Sequence, residues 1–354
     1  MDSITQAVLG AAVADWLLGK KIGRKASLWG IFLGTLPDLD VAARPWLTNI
    51  EYLQWHRGWS HGVVSIFFGS LLTALLLKGI HRSKFSLSRA YAATLLIWFT
   101  HVLIDVCTVY GTGILEPFSQ HWWELNLVFI IDPAFSLPLL AATILALLFS
   151  ADRKWRCLFT KTALLLSTLY LLTSMFIKGR IDERFVGSLD SSDVRIEAWS
   201  SSPMPFNIFL WRGLVKTSRQ GEAGFLIGYA SIFDDEQHVN WRWVPQGEFK
   251  MSQFRSQDAV KAIDWFSKGF WIVRRESEGL VLSDLRFGEL SAGREDWLDS
   301  PRPWIFNWVI LEEGADFRSL PPKLPEDSEL WSDLYRRVWG KRYRWEESFS
   351  PVLR

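Results

Sequence analysis

Six apolar runs fill the first half of the chain and limit what it can fold into. They lie at about 3–19, 27–36, 62–78, 90–110, 125–149 and 158–177 of the 354 residues. A helix needs about 20 residues to cross a hydrocarbon core of about 30 Å. Four of the runs approach that length, the first is marginal, and the second is too short. The first half is therefore predicted to be an α-helical membrane bundle, and a buried core of a soluble protein is the disfavoured alternative.

The lysines and arginines of this half concentrate in alternate connections between the runs. Twelve of them occur in three connections, whereas Arg44 and Arg57 stand alone in the intervening loops at 37–61 and 111–124. By the positive-inside rule, the basic connections are expected in the cytoplasm. The intervening loops and the chain after residue 178 are then expected on the extracytoplasmic side of the cytoplasmic (inner) membrane. The twelve residues are Lys20, Lys21, Arg24, Lys25, Lys78, Arg82, Lys84, Arg89, Arg153, Lys154, Arg156 and Lys161.

Histidine and aspartate side chains crowd toward the outer end of this predicted bundle. Ionisable residues at membrane depth are costly and by default mark a functional site. His101 and Asp105 are four positions apart and therefore share one helix face. His56 and His61 are separated by about 500° of helical rotation, so they meet only if His56 lies in a turn, which Gly58 permits. The predicted metal ligands are Asp38, Asp40, His56, His61, His101 and Asp105.

Mixed imidazole and carboxylate ligands suit Zn²⁺, Mn²⁺ or Fe²⁺ better than Mg²⁺ or Ca²⁺. Six candidates exceed one tetrahedral zinc site, which leaves either two ions or a supporting role for some residues. A bound ion makes hydroxide available near neutral pH, so hydrolysis is the predicted chemistry. Arg57 and Asp40 are the predicted catalytic residues, with Arg57 holding an anionic substrate oxygen. The alternative for Arg57 is a position facing lipid headgroups beside Trp55 and Trp59.

The sequence leaves the roles of several other polar residues undecided. Asp132 precedes Pro133, and this pair also suits a helix start with Asp as the N-cap. Asp15 lies toward the inner end of the first run and is predicted to pair with Lys20 or Lys21. The residues whose part in the site is left open are Gln6, Glu116, His121 and Asp132.

Small residues four positions apart predict where the helices pack closely. Gly30 with Gly34, and Gly10 with Ala14, have this spacing. Without large side chains between them, two helices approach closely enough to bring distant loops together.

Four segments of the first half resemble a known family in their order and spacing. They are Met1-Asp2-Ser3-Ile4-Thr5-Gln6, Gly34-Thr35-Leu36-Pro37-Asp38-Leu39-Asp40, His56-Arg57-Gly58-Trp59-Ser60-His61 and His101-Val102-Leu103-Ile104-Asp105. The chain is similar here to the YdjM-like inner-membrane proteins, usually described as membrane-bound metal-dependent hydrolases. The resemblance implies a helical membrane protein with a metal site and hydrolase activity, and it brings no substrate. Many of the proteins in this family carry histidine where this chain has Gln6.

The chain from about residue 180 has a different pattern. Its short runs of β-branched and aromatic residues predict strands, and two stretches at about 254–267 and 327–339 predict helices. We expect a soluble α+β domain at 179–354 after a transmembrane domain at 1–178, with tryptophans such as Trp211 and Trp304 in its core. The predicted strands are Val194–Ser200, Ile208–Thr217, Gly224–Phe233, Phe270–Arg275, Leu280–Phe287 and Trp304–Glu312.

The sequence thus predicts an integral membrane metal-dependent hydrolase whose activated water attacks an ester or phosphoester at the outer membrane surface. Membrane lipid is the expected partner, with an amphiphilic or lipid-linked substrate, and zinc is the first choice of ion. The net charge of +1 and the lack of a basic field predict no nucleic-acid partner. The alternatives are an ion or proton transporter, and a metal-stabilised anchor that presents the C-terminal domain to a partner.

Overall fold

The computed structural model describes residues 1–149, 154–190, 194–235, 238–248, 256–290, 302–323, 330–343 and 345–346. The chain divides into two compact units. The first contains Met1–Trp46, Trp55–Met175 and Pro205–Asn207, and the second contains Leu47–Gln54, Phe176–Met204 and Ile208–Arg354. The chain changes unit several times, and one of these changes, at Met175/Phe176, lies inside a long helix. The predicted domain boundary at 178/179 stays a prediction.

The N-terminal half is helical, as the apolar runs predict. Its helices are α1 (Ser3–Ile22), α2 (Arg24–Thr35), α3 (Asn49–Trp55), α4 (Val63–Ile80), α5 (Leu87–Val106), α6 (Pro133–Leu148) and α7 (Lys154–Asp190), with 3₁₀ segments at Pro37–Trp46 and Trp59–His61. Among the described residues, three helices are long and apolar enough to cross a membrane: Val63–Ile80, Leu87–Val106 and Lys154–Leu189. The predicted helical membrane bundle is confirmed.

The run at 125–149 forms a shorter helix than its length suggests. Helix α6 has 16 residues and begins at Pro133. The Asp132 carboxylate accepts hydrogen bonds from the backbone N–H groups of Ala134 at 3.1 Å and Phe135 at 3.3 Å. Such an N-cap with proline as the first helical residue fixes where a helix starts. The N-cap interpretation of Asp132 is confirmed, and the expectation of a full-length span over this run is wrong.

Helices α1 and α2 pack with their backbones almost in contact. A Cβ atom added to Gly10 would lie 2.3 Å from the carbonyl oxygen of Gly30 and 2.8 Å from the Cα of Gly34. A larger side chain at any of these three positions would force the helices apart. The predicted close packing at these glycines is confirmed. The C-terminal end of α2, which carries Gly34, also contacts α5.

Asp15 pairs with a residue that its local spacing does not reveal. Its Oδ1 accepts a hydrogen bond from Arg156 Nε at 3.0 Å, and its Oδ2 accepts one from Thr160 Oγ1 at 2.9 Å. The prediction of a pair with Lys20 or Lys21 is wrong. Residues five and six positions later point away from Asp15 on the same helix, and both lysines are exposed whereas Asp15 is buried.

The C-terminal unit is an α+β domain with two antiparallel four-stranded sheets, which confirms the predicted class. The first sheet has the order β1-β2-β3-β4 and the second the order β5-β6-β7-β8. The strands are β1 (Ala198–Pro203), β2 (Leu210–Arg219), β3 (Glu222–Ser231), β4 (Arg242–Pro245), β5 (Trp271–Glu276), β6 (Gly279–Glu289), β7 (Trp304–Leu311) and β8 (Asp316–Leu320), and the helices are α8 (Asp258–Ser267) and α9 (Leu330–Val338). The short strands β4 and β8 are absent from the sequence-based prediction.

Local sequence explains the register and core of the first sheet. Strands β2 and β3 are joined at Gln220 and Gly221, whose φ angles of 52° and 86° match a tight hairpin turn. This turn pairs Arg219 with Glu222 and sets the register of the remaining pairs. Trp211 and Trp304 are fully buried, so their predicted place in the core is confirmed.

Candidate metal centre

Four acidic and imidazole side chains of the first unit meet at one end of α4 and α5. Asp38 comes from the 3₁₀ segment that follows α2, and His61 from the 3₁₀ turn just before α4. His101 and Asp105 lie on one face near the C-terminal end of α5. Each residue offers one ligand atom, and these atoms all lie within 4.8 Å of one another. The group, called the four-residue cluster below, therefore lies at the same end of two candidate membrane spans.

Five of the six separations between the ligand atoms are close to those around a tetrahedral ion, and the sixth, between the two carboxylates, is within 4.8 Å. His61 Nε2 lies 3.1 Å from His101 Nε2, 3.4 Å from Asp38 Oδ1 and 3.2 Å from Asp105 Oδ2. His101 Nε2 lies 3.5 Å from Asp38 Oδ1 and 3.4 Å from Asp105 Oδ2. A tetrahedron with ligands about 2.0–2.1 Å from Zn²⁺ has edges of roughly 3.3–3.4 Å. The five distances fall around that value.

Two carboxylate oxygens in the cluster lack a hydrogen-bond donor. Asp38 Oδ1 and Asp105 Oδ2 are buried, and neither accepts a hydrogen bond from the part of the chain that the structure describes. Leaving such an acceptor unsatisfied costs about 1–3 kcal/mol, and more for a charged group. Both oxygens face the two imidazoles, where a cation would compensate them. Two carboxylates and two imidazoles also suit a divalent transition metal.

Hydrogen bonds behind the histidines turn the correct nitrogen atoms toward the cluster. His101 Nδ1 lies 2.7 Å from the carbonyl oxygen of Gly34. Because a carbonyl oxygen only accepts, the proton belongs on Nδ1 and the lone pair of Nε2 faces the cluster. His61 Nδ1 lies 2.8 Å from Ser60 Oγ, whose hydroxyl donates to Asp40 Oδ2 at 2.7 Å. His61 Nδ1 therefore donates to Ser60, and its Nε2 is also available as a ligand.

Asp40 and His56, two further predicted ligands, lie outside the four-residue cluster. Asp40 Oδ1 lies 2.8 Å from His56 Nδ1, and its Oδ2 accepts a hydrogen bond from the backbone N–H of Arg57 at 3.0 Å. The distance from Asp40 Oδ2 to His61 Nδ1 is 3.9 Å. Asp40 thus lies behind His61, on the side of the imidazole opposite the cluster.

Arg57 is buried against the cluster instead of facing lipid. Its Nη2 lies 3.2 Å from Asp105 Oδ1, its Nη1 donates to Thr108 Oγ1 at 3.2 Å, and its Cζ lies 4.7 Å from the centre of the Tyr110 ring. The side chain is only 5% exposed, so the headgroup-facing alternative is wrong. The guanidinium binds the Asp105 oxygen that points away from the histidines.

The turn predicted between the two histidines forms, but with a different residue in the unusual conformation. Arg57 has φ of 66°, whereas Gly58 has φ of −86°. A positive φ is uncommon for a residue with a side chain, and such strain persists only where surrounding contacts fix it. Here the backbone N–H of Arg57 donates to Asp40, and its carbonyl oxygen accepts from Gly113 at 2.9 Å.

The electrostatics of the loop residues favour bound positive charge. Burial alone would raise the pKa of the Asp38 carboxyl, but the adjacent imidazoles of His101 and His61 hold that pKa well below its ordinary value. Burial would lower the pKa of His61, yet the carboxylates of Asp105 and Asp38 raise it. Asp38 is therefore anionic at neutral pH, the form that binds a cation.

The residues left open by the sequence fall in different places. Gln6 is 1% exposed, and its Nε2 donates to Asp105 Oδ1 at 2.9 Å, so it lies beside the cluster. Glu116 accepts a hydrogen bond from Trp122 Nε1 at 3.0 Å, and His121 is exposed. Asp132 caps α6 and accepts from the Tyr170 hydroxyl at 2.9 Å. Of the four, Gln6 alone touches a cluster residue in these contacts.

Sequence reasoning missed the residues that support the cluster. Ser60 links His61 to Asp40, Thr108 accepts from Arg57, and the Gly34 carbonyl oxygen accepts from His101. The Met1 ammonium group also contacts Asp105. Nothing in the spacing of these residues marks them as functional. One usable signal was the position of Ser60 next to a predicted ligand.

Two comparisons with known proteins give a match. A family described as YdjM inner membrane protein matches residues 1–181, which include the whole cluster. The uncharacterized protein YfhP of Bacillus subtilis (strain 168) is 28% identical over 149 residues, or 40% of this chain and 45% of YfhP. The chain therefore aligns with less than half of that relative's length. No solved structure matches this chain.

Proposed function

The chain belongs to the YdjM inner membrane protein family, and from that premise we propose that it is an integral membrane metal-dependent hydrolase. The observation that carries the proposal is the four-residue cluster, with ligand atoms within 4.8 Å of one another and two buried carboxylate oxygens that lack a donor. The proposed reaction is attack of water on an ester or phosphoester bond.

The proposed ion is held by Asp38, His61, His101 and Asp105, with zinc as first choice and manganese or iron as alternatives. Such an ion would supply Lewis acidity and make a water molecule nucleophilic near neutral pH. The spacing of the cluster supports one ion rather than two, since Asp40 and His56 bind each other at 2.8 Å.

Asp38 marks the proposed side of access for water and substrate. Its side chain is 15% exposed, whereas those of His61, His101 and Asp105 are at most 1% exposed. Catalytic zinc sites keep a position for water or substrate beside their protein ligands. The lowered pKa of Asp38 supports a ligand role and makes this carboxylate a weak general base.

Arg57 and Asp40 become positioning residues in this proposal, because neither side chain faces the space between the ligand atoms. Arg57 holds the outer oxygen of Asp105 at 3.2 Å, which turns the other oxygen toward the histidines. Asp40 holds Ser60, which fixes the ring of His61. Partners behind metal ligands orient them and typically change metal affinity 10–100-fold.

The position of the cluster supports an amphiphilic substrate. Asp105 is the second-last residue of α5, and His61 lies two residues before α4. Exposed apolar side chains occur in the same 3₁₀ segments as the loop ligands, with Leu39 at 52%, Trp46 at 80% and Trp59 at 55% exposure. Exposed tryptophans at the end of membrane helices suit the lipid headgroup layer. We therefore propose membrane lipid as a partner and a lipid or lipid-linked ester or phosphoester as substrate.

The test starts with the full-length protein purified in detergent. Elemental analysis should find one transition-metal ion per chain, and a screen of amphiphilic esters and phosphoesters should find activity that a chelator removes and the metal restores. His61→Ala should lose both metal and activity, whereas the matched change at an exposed histidine, His121→Ala, should keep both. Absence of bound metal from the wild-type protein would overturn the proposal.

The four-residue cluster also supports a second candidate function, a metal-stabilised anchor. Four protein ligands complete a tetrahedral zinc shell, which is typical of structural sites. Asp38→Ala separates the two functions. In the hydrolase, three buried ligands keep much of the metal while activity is lost. In the anchor, no substrate is turned over even by the wild-type protein, and metal and thermal stability fall together. Ion flux in liposomes without hydrolysis would favour the transport alternative.

We also propose that the cluster and the C-terminal domain lie on the extracytoplasmic side. The twelve basic residues in the alternate connections support this orientation. Protease added to intact cells with a permeable outer envelope should cleave within the C-terminal domain. Protection of that domain, with cleavage only after the membrane is opened, would invert the orientation.

A further inference from the structure

The second unit carries a row of exposed aromatic side chains on and beside α9. Trp331 and Tyr335 share one face of α9, Trp339 follows directly after the helix, and the three are 54%, 66% and 51% exposed. The Tyr335 and Trp339 rings are 6.2 Å apart, and Trp339 stacks on Phe233 at 4.9 Å. These four residues are called the aromatic surface. A contiguous apolar patch of this kind marks a contact site, unlike single exposed residues.

The opposite face of α9 is fixed in the domain core, so the aromatic surface is held in place. Arg337 is 1% exposed and binds Asp234 Oδ1 at 2.6 Å and Glu346 Oε2 at 2.8 Å. Just after the helix, Gly340 has φ of 81°, and a Cβ there would lie 2.5 Å from the carbonyl oxygen of Phe233. The helix and the segment that carries Phe233 are therefore packed tightly together.

The aromatic surface is attached to the part of α7 where that helix stops being apolar. Arg184 of α7 donates to the carbonyl oxygen of Ser231 at 3.0 Å and lies 3.4 Å from Asp234, which follows Phe233. Phe176, 72% exposed, is the last exposed apolar residue of α7 before Lys178, and the buried Ile177 lies between them. Eight residues of helix span about 12 Å. That distance is somewhat longer than one headgroup layer, roughly 5–8 Å, so Arg184 lies just outside that layer if Phe176 marks the edge of the hydrocarbon core.

We propose that the aromatic surface is a membrane-docking surface and that its occupant is the headgroup layer of the bilayer. Tryptophan and tyrosine are enriched at that depth because one end of each side chain is apolar and the other polar. The exposed residues Arg336 and Lys341 lie within two positions of Tyr335 and Trp339 in the chain, and their positive charge complements lipid phosphates. The contact fixes the second unit on the membrane next to its own helix. This inference stands whether or not the four-residue cluster is catalytic.

The test places a fluorescent label on the aromatic surface of the full-length protein. Tyr335→Cys is labelled with an environment-sensitive dye in a Cys157→Ala background, since Cys107 is buried. The matched control is Lys261→Cys, which puts the same label on an exposed position of α8 in the same unit. Both proteins are reconstituted in phosphatidylcholine nanodiscs with and without anionic phosphatidylglycerol. Quenching by aqueous iodide and by headgroup-attached nitroxide lipid is then measured.

At position 335 we expect strong quenching by nitroxide lipid and iodide quenching lowered about threefold or more relative to position 261, as for an interfacial side chain. Equal iodide quenching at both positions would overturn the proposal. Shielding from iodide without quenching by lipid would also overturn it, since a protein segment would then cover the surface. Trp331→Cys gives a second label position on the same helix face if the first variant fails to accumulate.

Discussion

Two of the buried groups of charged side chains, one in each unit, differ in how their carboxylate oxygens are satisfied. Around Arg337, both oxygens of Glu346 and both oxygens of Asp234 accept hydrogen bonds from the guanidinium. In the four-residue cluster, Asp38 Oδ1 and Asp105 Oδ2 accept none from the described residues. The first cluster has the Arg337 guanidinium between its two carboxylates, whereas in the second Arg57 and the Met1 ammonium contact Asp105 through Oδ1, and Asp38 Oδ1 and Asp105 Oδ2 face the two imidazoles. A buried network in which every oxygen accepts a hydrogen bond stabilises a fold, and one that leaves buried carboxylate oxygens without a donor is a candidate binding site.

Removing a cluster carboxylate tests this contrast most directly. Asp105→Asn keeps the shape of the side chain and removes its negative charge, so we expect metal content to fall from one ion per chain toward zero and hydrolysis to disappear. The Nε2 atoms of His61 and His101 lie 3.2 Å and 3.4 Å from Asp105 Oδ2. Elemental analysis and the ester screen measure the effect. Asp132→Asn is the control, because Asp132 caps α6 and lies outside the cluster. Full metal content in Asp105→Asn would contradict the idea that the unsatisfied carboxylates of this cluster bind a metal ion.

Removing Arg337 from the cluster in the second unit should leave the metal content unchanged and destabilise that unit. Arg337→Met removes the cation between two buried carboxylates, and such a change typically costs 3–5 kcal/mol. The neighbouring Arg336→Met is the control, since Arg336 is exposed and should change stability by less than about 0.5 kcal/mol. Denaturant unfolding followed by tryptophan fluorescence gives the stability, and elemental analysis gives the metal content. Equal stability of the two variants would contradict a structural role for Arg337.

A smaller effect is expected from the residues behind His61. Ser60→Ala breaks the link to Asp40, so we expect metal affinity to fall about 10–100-fold while one ion still binds at saturation. Ser65→Ala is the matched control, because Ser65 donates to the carbonyl oxygen of Trp59 at 2.6 Å and does not contact the cluster histidines. Competition with a chromophoric chelator measures both affinities. A Ser60→Ala protein with wild-type affinity would leave Ser60 and Asp40 without a role at the site.

The sequence alone predicts which residues form the cluster, but it does not predict which carboxylate faces the histidines. The i, i+4 spacing of His101 and Asp105, and the position of Asp38 after Pro37, are local features, so all four cluster residues were among the six predicted ligands. Which carboxylate turns inward was not predictable. Asp38 and Asp40 are two positions apart on one 3₁₀ segment, and contacts with Ser60 and His56 turn Asp40 away.

Contacts between segments far apart in the chain could not be predicted from the sequence either. The partner of Asp15 is Arg156, 141 positions away, and no local spacing contains that information. Apolar runs predicted the helices well, because length and hydropathy act locally. They did not predict where α6 begins, which Asp132 and Pro133 decide. Strands β4 and β8 have four and five residues, too few for a clear alternating pattern.

The smallest expected effect concerns pH, where the two clusters should respond in opposite directions. Burial raises the pKa of Glu346 above its ordinary value although Arg337 lies beside it. Its contribution to stability is therefore complete below the unfolded-state pKa near 4.5 and is lost as pH rises through the raised pKa. Lowering the pH from 7 to 5 should not weaken this part of the second unit, and Glu346→Gln should flatten the dependence of its stability on pH.

At the four-residue cluster, acid should release the ion, because the raised pKa of His61 lets protons compete for Nε2. Unfolding and metal content measured at each pH separate the two trends, and a fall of both in parallel would show that one cluster depends on the other.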